Sequence, residues 1–352
     1  MRRENMMTGR DQSSIVPPLV AIAAFMIIVT GLKAASELLS PVLLSLFIVL
    51  VTSPLVQWMR ARRVPTWLAN LIVILGVIAT GLLLIIFLIA SVAQLTDSVP
   101  AYRSLLEDQL TQTELWLARH GLESADILNL EILRPSRLIQ FVLSVLTGLI
   151  GTLGNVGLTL FIVIYMLVGA SSFATKLKQS LGERSPLLNR MTAFSRSVSL
   201  YLLIKGWLGA MAAIGQTLLL LALGVDFAVL WGVVSFLFNF IPNIGYIIAL
   251  MPPLILALLE SGIGAALVVF IGYALINNFF DMVIGPRYLG QGLDLSTLVT
   301  FLAVVFWTWI LGPIGAFLAL PLTVMVKTLV LESFPDSVMV AKLMGADEAE
   351  EA

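Results

Sequence analysis

Charged residues are spaced along the chain so that long uncharged intervals remain between them: 12–32, 38–59, 64–96, 138–175, 206–225, 227–259, 261–280 and 295–326. A bilayer core of about 30 Å takes roughly 20 apolar residues in a helix. The first three intervals and 138–175 therefore predict four spanning helices, 206–225 a fifth and 261–280 another. The intervals 227–259 and 295–326 are too long for one crossing, since a helix of 33 residues would run about 50 Å. Both are interrupted near the middle, by "IPNIG" at 241–245 and by "LGPIG" at 311–315. Proline lacks the N–H a helix needs, and glycine and asparagine weaken helices. Hydrocarbon penalises unpaired backbone groups, so such breaks belong where protein or a wet cavity surrounds them. The pattern predicts an all-α, polytopic transmembrane protein of about eight membrane segments, two of them broken as half-helix hairpins or re-entrant segments, with a small helical segment on the outer face.

The same pattern divides the chain. Residues 1–96 carry transmembrane helices 1–3, 97–137 an extracytoplasmic amphipathic helical segment, and 138–171 helix 4. Residues 172–204 form a basic amphipathic segment on the cytoplasmic surface, 205–332 the C-terminal core with the broken helices, and 333–352 an acidic cytoplasmic tail. Lys and Arg in short loops favour the cytoplasm. Arg2, Arg3 and Arg10, then Arg60, Arg62 and Arg63, then Lys176, Lys178, Arg184, Arg190 and Arg196 fall on one side if spans alternate. Both termini are then cytoplasmic, and 97–137 lies outside. The N-terminal run reads as a retained first span, because it is long and lacks a small-residue cleavage site. A cysteine placed at Ser124 of this cysteine-free chain is expected to react with impermeant thiol reagents from the periplasm. Protection there, with labelling of a cysteine at Ser185, would invert the topology.

Composition narrows the function. The chain is 59% hydrophobic and 12% charged, with mean hydropathy +1.02. Its net charge of −1 offers no basic field to nucleic acid. Without cysteine there is no disulfide, iron–sulfur cluster or thiol nucleophile, and one histidine, His120, cannot furnish an H-E-x-x-H metal pair. No catalytic residue, metal site or cofactor is predicted.

The two broken segments match at an offset of 70: Phe236 with Phe306, Ile244-Gly245 with Ile314-Gly315, Ala249-Leu250 with Ala319-Leu320. Paired, Gly/Pro-interrupted segments point to a transporter's binding site. Each could be a kinked span or a hairpin; the excess length favours hairpins, which make the repeats inverted. Around them lie the candidate path residues. Asn239 and Asn243 flank the first break, facing a solute or satisfying freed backbone groups. Asn277, Asn278 and Asp281 lie within one turn. Asp281 reads either as a proton- or cation-binding carboxylate or as half of a structural pair, with Arg287 as a candidate partner. Arg287 reads as an interfacial anchor or as a clamp on the solute. Lys205 reads as reaching the inner interface. Gly148, Gly151, Gly154 and Gly157 have the spacing that lets membrane helices approach closely. The breaks at Pro242-Asn243 and Gly312-Pro313 are expected to face each other across one cavity, with Gly245 and Gly315 permitting close backbone approach.

Four motifs carry a resemblance: Pro242-Asn243-Ile244-Gly245, Pro286-Arg287 with Gly290, Leu311-Gly312-Pro313-Ile314-Gly315, and Pro321-Leu322. Together they resemble the autoinducer-2 exporter family of bacterial inner-membrane transporters, most specifically over 236–330. Many members carry an acidic residue just before the Pro-Arg and an asparagine a few residues earlier. Here Gly285 and Asp281 stand near those places; if a carboxylate has a task there, the resemblance implies Asp281 for it, a departure from the family's pattern that leaves a coupling role open. The resemblance implies a secondary transporter exporting a small polar solute such as autoinducer-2, a small hydroxylated furanone-like molecule, and a homo-oligomer in lipid. A sodium (lithium)/proton antiporter is the alternative, with protons or sodium as partners, and a passive channel or non-transporting scaffold the second.

Overall fold

The computed structural model describes residues 16–119, 135–152, 156–182, 185–242, 244–289, 293, 295–334 and 337–345. Every regular element among them is helical. They are α1 (Val16–Ala34), α2 (Ser36–Ala61), α3 (Thr66–Arg119), α4 (Pro135–Thr152), α5 (Val156–Leu181), α6 (Pro186–Leu223), α7 (Ala228–Phe238) and α8 (Ile244–Asn278). A π-helical turn, Phe279–Ile284, leads to α9 (Gly285–Leu289), followed by α10 (Thr297–Leu311), α11 (Pro313–Leu329), a 3-10 turn Leu331–Ser333 and α12 (Val338–Leu343). Six helices among the described residues are long and apolar enough to cross a membrane. The polytopic all-α architecture read from the uncharged intervals is thus what the chain adopts.

The spine is α6. Its first half buries Phe194, Val198 and Leu202 in a core shared with α2, α10 and α11. Its second half joins a separate core that gathers Leu220 with Leu88 of α3, Leu146 of α4, Trp231 of α7 and Tyr273 of α8. Both broken intervals fold back on themselves: α7 packs on α8, and α10 packs on α11. With 11 and 15 residues, α7 and α10 run only about 17 and 22 Å, short of a full crossing. The repeat survives in three dimensions. A Cβ on Gly245 would stand 1.9 Å from the Phe238 carbonyl oxygen, and one on Gly315 would stand 1.9 Å from that of Trp307. Glycine is required at both turns because the returning arm touches backbone. Trp307 Nε1 donates to Thr323 Oγ1 at 3.0 Å, stitching α10 to α11. The first hairpin's return arm ends at Gly262, where φ of 79° redirects α8 into 263–278.

Three local readings change. The basic surface helix expected within 172–204 is divided: 186–204 is the start of α6, because Leu188, Phe194, Val198 and Leu202 bury against protein instead of lying on lipid headgroups. The helix that begins at Thr66 does not break at 96; α3 continues through Pro100 to Arg119, a rod of about 80 Å that runs on into the helical segment expected at 97–137. His120 and 121–134 lie outside the described residues. Among the described residues, Gly151 and Gly157 have no neighbouring atom within 4 Å of where a Cβ would stand, so no described helix uses their spacing for close approach; Gly154 is not among the described residues.

The base of the first hairpin is clasped from α3. Tyr102 Oη lies 2.8 Å from Asp226 Oδ2 and 3.1 Å from Glu260 Oε1, and the Asp226 backbone N–H donates to Glu260 Oε2 at 3.1 Å. A hydroxyl has one hydrogen, so it donates to one of the two carboxylates at a time. Tyr102→Phe leaves those carboxylates without their bridging donor and is expected to cost about 1–2 kcal/mol. Thermal unfolding in detergent measures it; an unchanged melting temperature would mean the clasp adds nothing.

Candidate functional site

The end of α8 is built to widen. Pro286 has no N–H to give the carbonyl four residues back, and the Gly285 N–H reaches back five residues to Phe280. The resulting π turn, Phe279–Ile284, carries Asp281; such turns are frequent at functional sites. Its carboxylate meets Lys205 of α6, Nζ to Oδ1 at 2.7 Å, with side chains 13% and 35% exposed respectively. Asn277 Nδ2 donates to Asp281 Oδ2 at 3.3 Å, and Asn239 Nδ2 donates to the Lys205 carbonyl at 3.2 Å. One polar chain thus links α8, its π turn, α6 and the tip of the first hairpin. The Asn239 amide rests directly on Gly209, where a Cβ would stand 2.3 Å from Nδ2.

Beside this chain lies a cavity with room for about one water molecule. Gln216 of α6, Ser235 and Asn239 of the first hairpin, and Tyr246 and Asn277 of α8 contribute its polar lining. Gln216 Oε1 and Ser235 Oγ are buried and have no hydrogen-bond partner among the described residues.

Of the residues singled out from sequence, Asn239, Asn277 and Asp281 converge here, with Asn278 closing α8 beside them. Asp281 pairs with Lys205, not Arg287; Arg287 is exposed in α9, and Lys205 turns to the pair instead of the membrane surface. Pro242 and Gly245 sit in the turn of the first hairpin, and Gly312, Pro313 and Gly315 in that of the second. The two turns are neighbours through apolar side chains: Phe240 packs on Phe317 with ring centroids 4.5 Å apart, amid Ile241, Ile244, Leu311 and Ile314. The cavity opens on the other side of the first turn, toward α6, and none of Pro242, Gly312 and Pro313 lines it. Backbone groups near the breaks find protein partners, Gly245 N–H on Ile241 O and Leu311 O on the Ser40 hydroxyl. Asn243 lies outside the described residues. Among the described residues no cluster of three His, Asp or Glu could hold a metal.

Sequence reading missed the Lys205–Asp281 pair and the place of Gln216, Ser235 and Tyr246 in the cavity lining. A signal for the pair was present: between 197 and 286 Lys205 is the only base, and a lone cation in an apolar helix needs an acid. Nothing comparable marks Gln216 or Ser235.

The profile of the AI-2E family transporters matches residues 19–334. A candidate transport protein of Haemophilus influenzae is 36% identical over 334 residues, which are 93% of this chain and 95% of that protein. The AI-2 transport protein TqsA of Escherichia coli is 35% identical over 312 residues, 88% and 90% of the two chains. YhhT, a candidate transport protein of Escherichia coli, is 29% identical over 88% of each. These matches are to transporters and to no enzyme family. They span the paired hairpins and the polar chain on α6, and with the apolar helices they make this multi-pass membrane protein a member of the AI-2E transporter family.

Proposed function

We propose that the protein is a secondary transporter that exports a small polar solute of the autoinducer-2 kind across the bacterial inner membrane, with both termini cytoplasmic. The observation that carries the reading is a cavity lined by neutral polar side chains between α6, α7 and α8, adjoining the Lys205–Asp281 ion pair. Polar groups at such depth are costly and mark solute pathways. The resemblance to TqsA supports the solute class. Asn239, Asn277 and Asp281 contact or orient the solute, Lys205 holds Asp281, and Gly245 and Gly315 keep the hairpins tight enough to move as units. Asn243 and Arg287 remain path candidates on sequence grounds, with Pro242, Asn278, Gly312 and Pro313 framing the turns. A homo-oligomer in lipid is part of the proposal.

Sodium (lithium)/proton antiport is the second reading, and the Lys205–Asp281 pair is the observation that favours it, since such carboxylates carry ions in other membrane proteins. Asn239→Ala separates a solute site from a structural turn. Flux should fall while insertion and melting temperature stay near wild type. Lost stability with normal flux per folded molecule would assign Asn239 to the fold alone.

A further inference from the structure

We propose that the turn between α2 and α3 is a binding site for the headgroup of an anionic phospholipid, held by Arg60, Arg62 and Arg63. On the proposed topology that lipid belongs to the inner leaflet; the site itself is independent of the solute path. These three arginines are the only charged residues between Glu37 and Asp97, and all three are exposed. None has an ion-pair partner among the described residues. Trp58 and Trp67 flank them, 53% and 69% exposed. Exposed tryptophans mark the level of lipid headgroups. The Arg62 guanidinium lies over the Trp58 ring, 4.2 Å from its centroid, which orients it at that level. A soluble anion gains nothing from two apolar rings. A phospholipid covers them with its chains and offers its phosphate to the guanidinium forks.

The backbone shows that the fold does not ask for arginine here. Helix α2 closes with the Val64 N–H on the Met59 carbonyl at 3.1 Å and the Arg63 N–H on the Arg60 carbonyl at 3.0 Å. In this C-terminal motif the residue at the place of Arg63 is left-handed and is usually glycine. Arg63 has φ of 64°, a region that glycine enters freely and a bulky side chain enters under strain. The Arg62 N–H also reaches the Trp58 and Met59 carbonyls, so backbone donors cap α2 and the guanidinium groups have no capping duty. Beneath the turn, Val64 packs on a cluster of Met59, Ala69, Val73, Val163 and Leu167, and Asn70 Nδ2 donates to the Leu167 carbonyl at 3.3 Å. Three unpaired cations thus stand on a rigid platform, one of them where the backbone favours glycine.

The test titrates the purified whole chain in neutral detergent with phosphatidylglycerol, phosphatidylcholine or glycerol 3-phosphate and follows the melting temperature. Phosphatidylglycerol should stabilise wild type saturably; the other two, at equal concentration, should not. Without lipid, Arg63→Gly should melt no lower than wild type, because it relieves the left-handed strain. It should weaken the apparent Kd for phosphatidylglycerol about fivefold, the loss expected for one basic residue at an anionic surface. Arg60→Gln should weaken it by a similar factor and carries the test if Arg63→Gly does not fold. Lys342→Gln removes an exposed cation from α12, beside the start of α10, and should change the Kd less than about twofold. Equal stabilisation by phosphatidylcholine, an unchanged Kd in both arginine variants, or a loss as large in Lys342→Gln would overturn the inference, the last by leaving only nonspecific charge. Saturable stabilisation by glycerol 3-phosphate at matching affinity would make the turn a soluble-anion site instead. A lowered melting temperature for lipid-free Arg63→Gly would assign that arginine to the fold.

Discussion

Asp281→Ala is expected to abolish transport and to cost about 2–3 kcal/mol of stability. The substitution strands the Lys205 ammonium, whose side chain is 13% exposed, and frees the Asn277 amide. Breaking a fully buried pair costs about 3–5 kcal/mol, and the 35% exposure of the Asp281 side chain lets water soften that figure. Replacing both partners by apolar residues, Lys205→Met with Asp281→Leu, leaves no orphaned charge and should restore the melting temperature. It should not restore flux. That dissociation distinguishes a pair that works in transport from one that only braces α6 against α8. A double variant that transports normally would reduce the pair to a brace.

Gly315→Ala should be the most disruptive single-methyl change in the protein. Its Cβ would stand 1.9 Å from the Trp307 oxygen, 2.5 Å from the Trp307 carbonyl carbon and 2.9 Å from the Leu311 Cβ. The first two are backbone, so relief requires α10 and α11 to part, which also strains the Trp307–Thr323 bond. Overpacking usually costs about 1–3 kcal/mol, and with backbone as the obstacle the expected cost is about 3 kcal/mol or more. Gly245→Ala meets the Phe238 carbonyl at the same 1.9 Å and should behave alike. Gly76→Ala, with nothing within 4 Å on α3, should be neutral or gain about 0.5–1 kcal/mol. Melting temperatures of the three variants decide; a Gly315→Ala protein as stable as Gly76→Ala would refute the tight-hairpin account.

The breaks were legible because proline, glycine and asparagine act locally, whatever the tertiary setting. The length of 227–259 and 295–326 pointed to hairpins for an equally local reason: a helix has a fixed rise. Direction was harder. An amphipathic stripe such as Leu188, Phe194, Val198 and Leu202 shows that one face is apolar, but lipid and protein satisfy it equally, and here protein covers it. The glycines at 151 and 157 show the converse, a spacing that permits close contact while no described atom lies within 4 Å of where a Cβ would stand. At the site, the clustering of Asn277 with Asp281 follows from helical spacing alone. The pairing of Asp281 with Lys205, 76 residues away, depends on how α6 crosses α8. The turn at 239–242 decides which neighbours its residues meet: Asn239 joins α6, and Phe240 meets the second hairpin. The expected shared cavity therefore gave way to an apolar contact between the breaks and a polar cavity beside one of them.

We propose that this AI-2E family member moves a small polar solute through the α6–α8 cavity. Purified protein in sealed vesicles, given labelled autoinducer-2 while internal pH and sodium are read in parallel, tests it most directly. The account predicts saturable solute flux that Asn239→Ala lowers; sodium-dependent proton flux with no solute flux would contradict it.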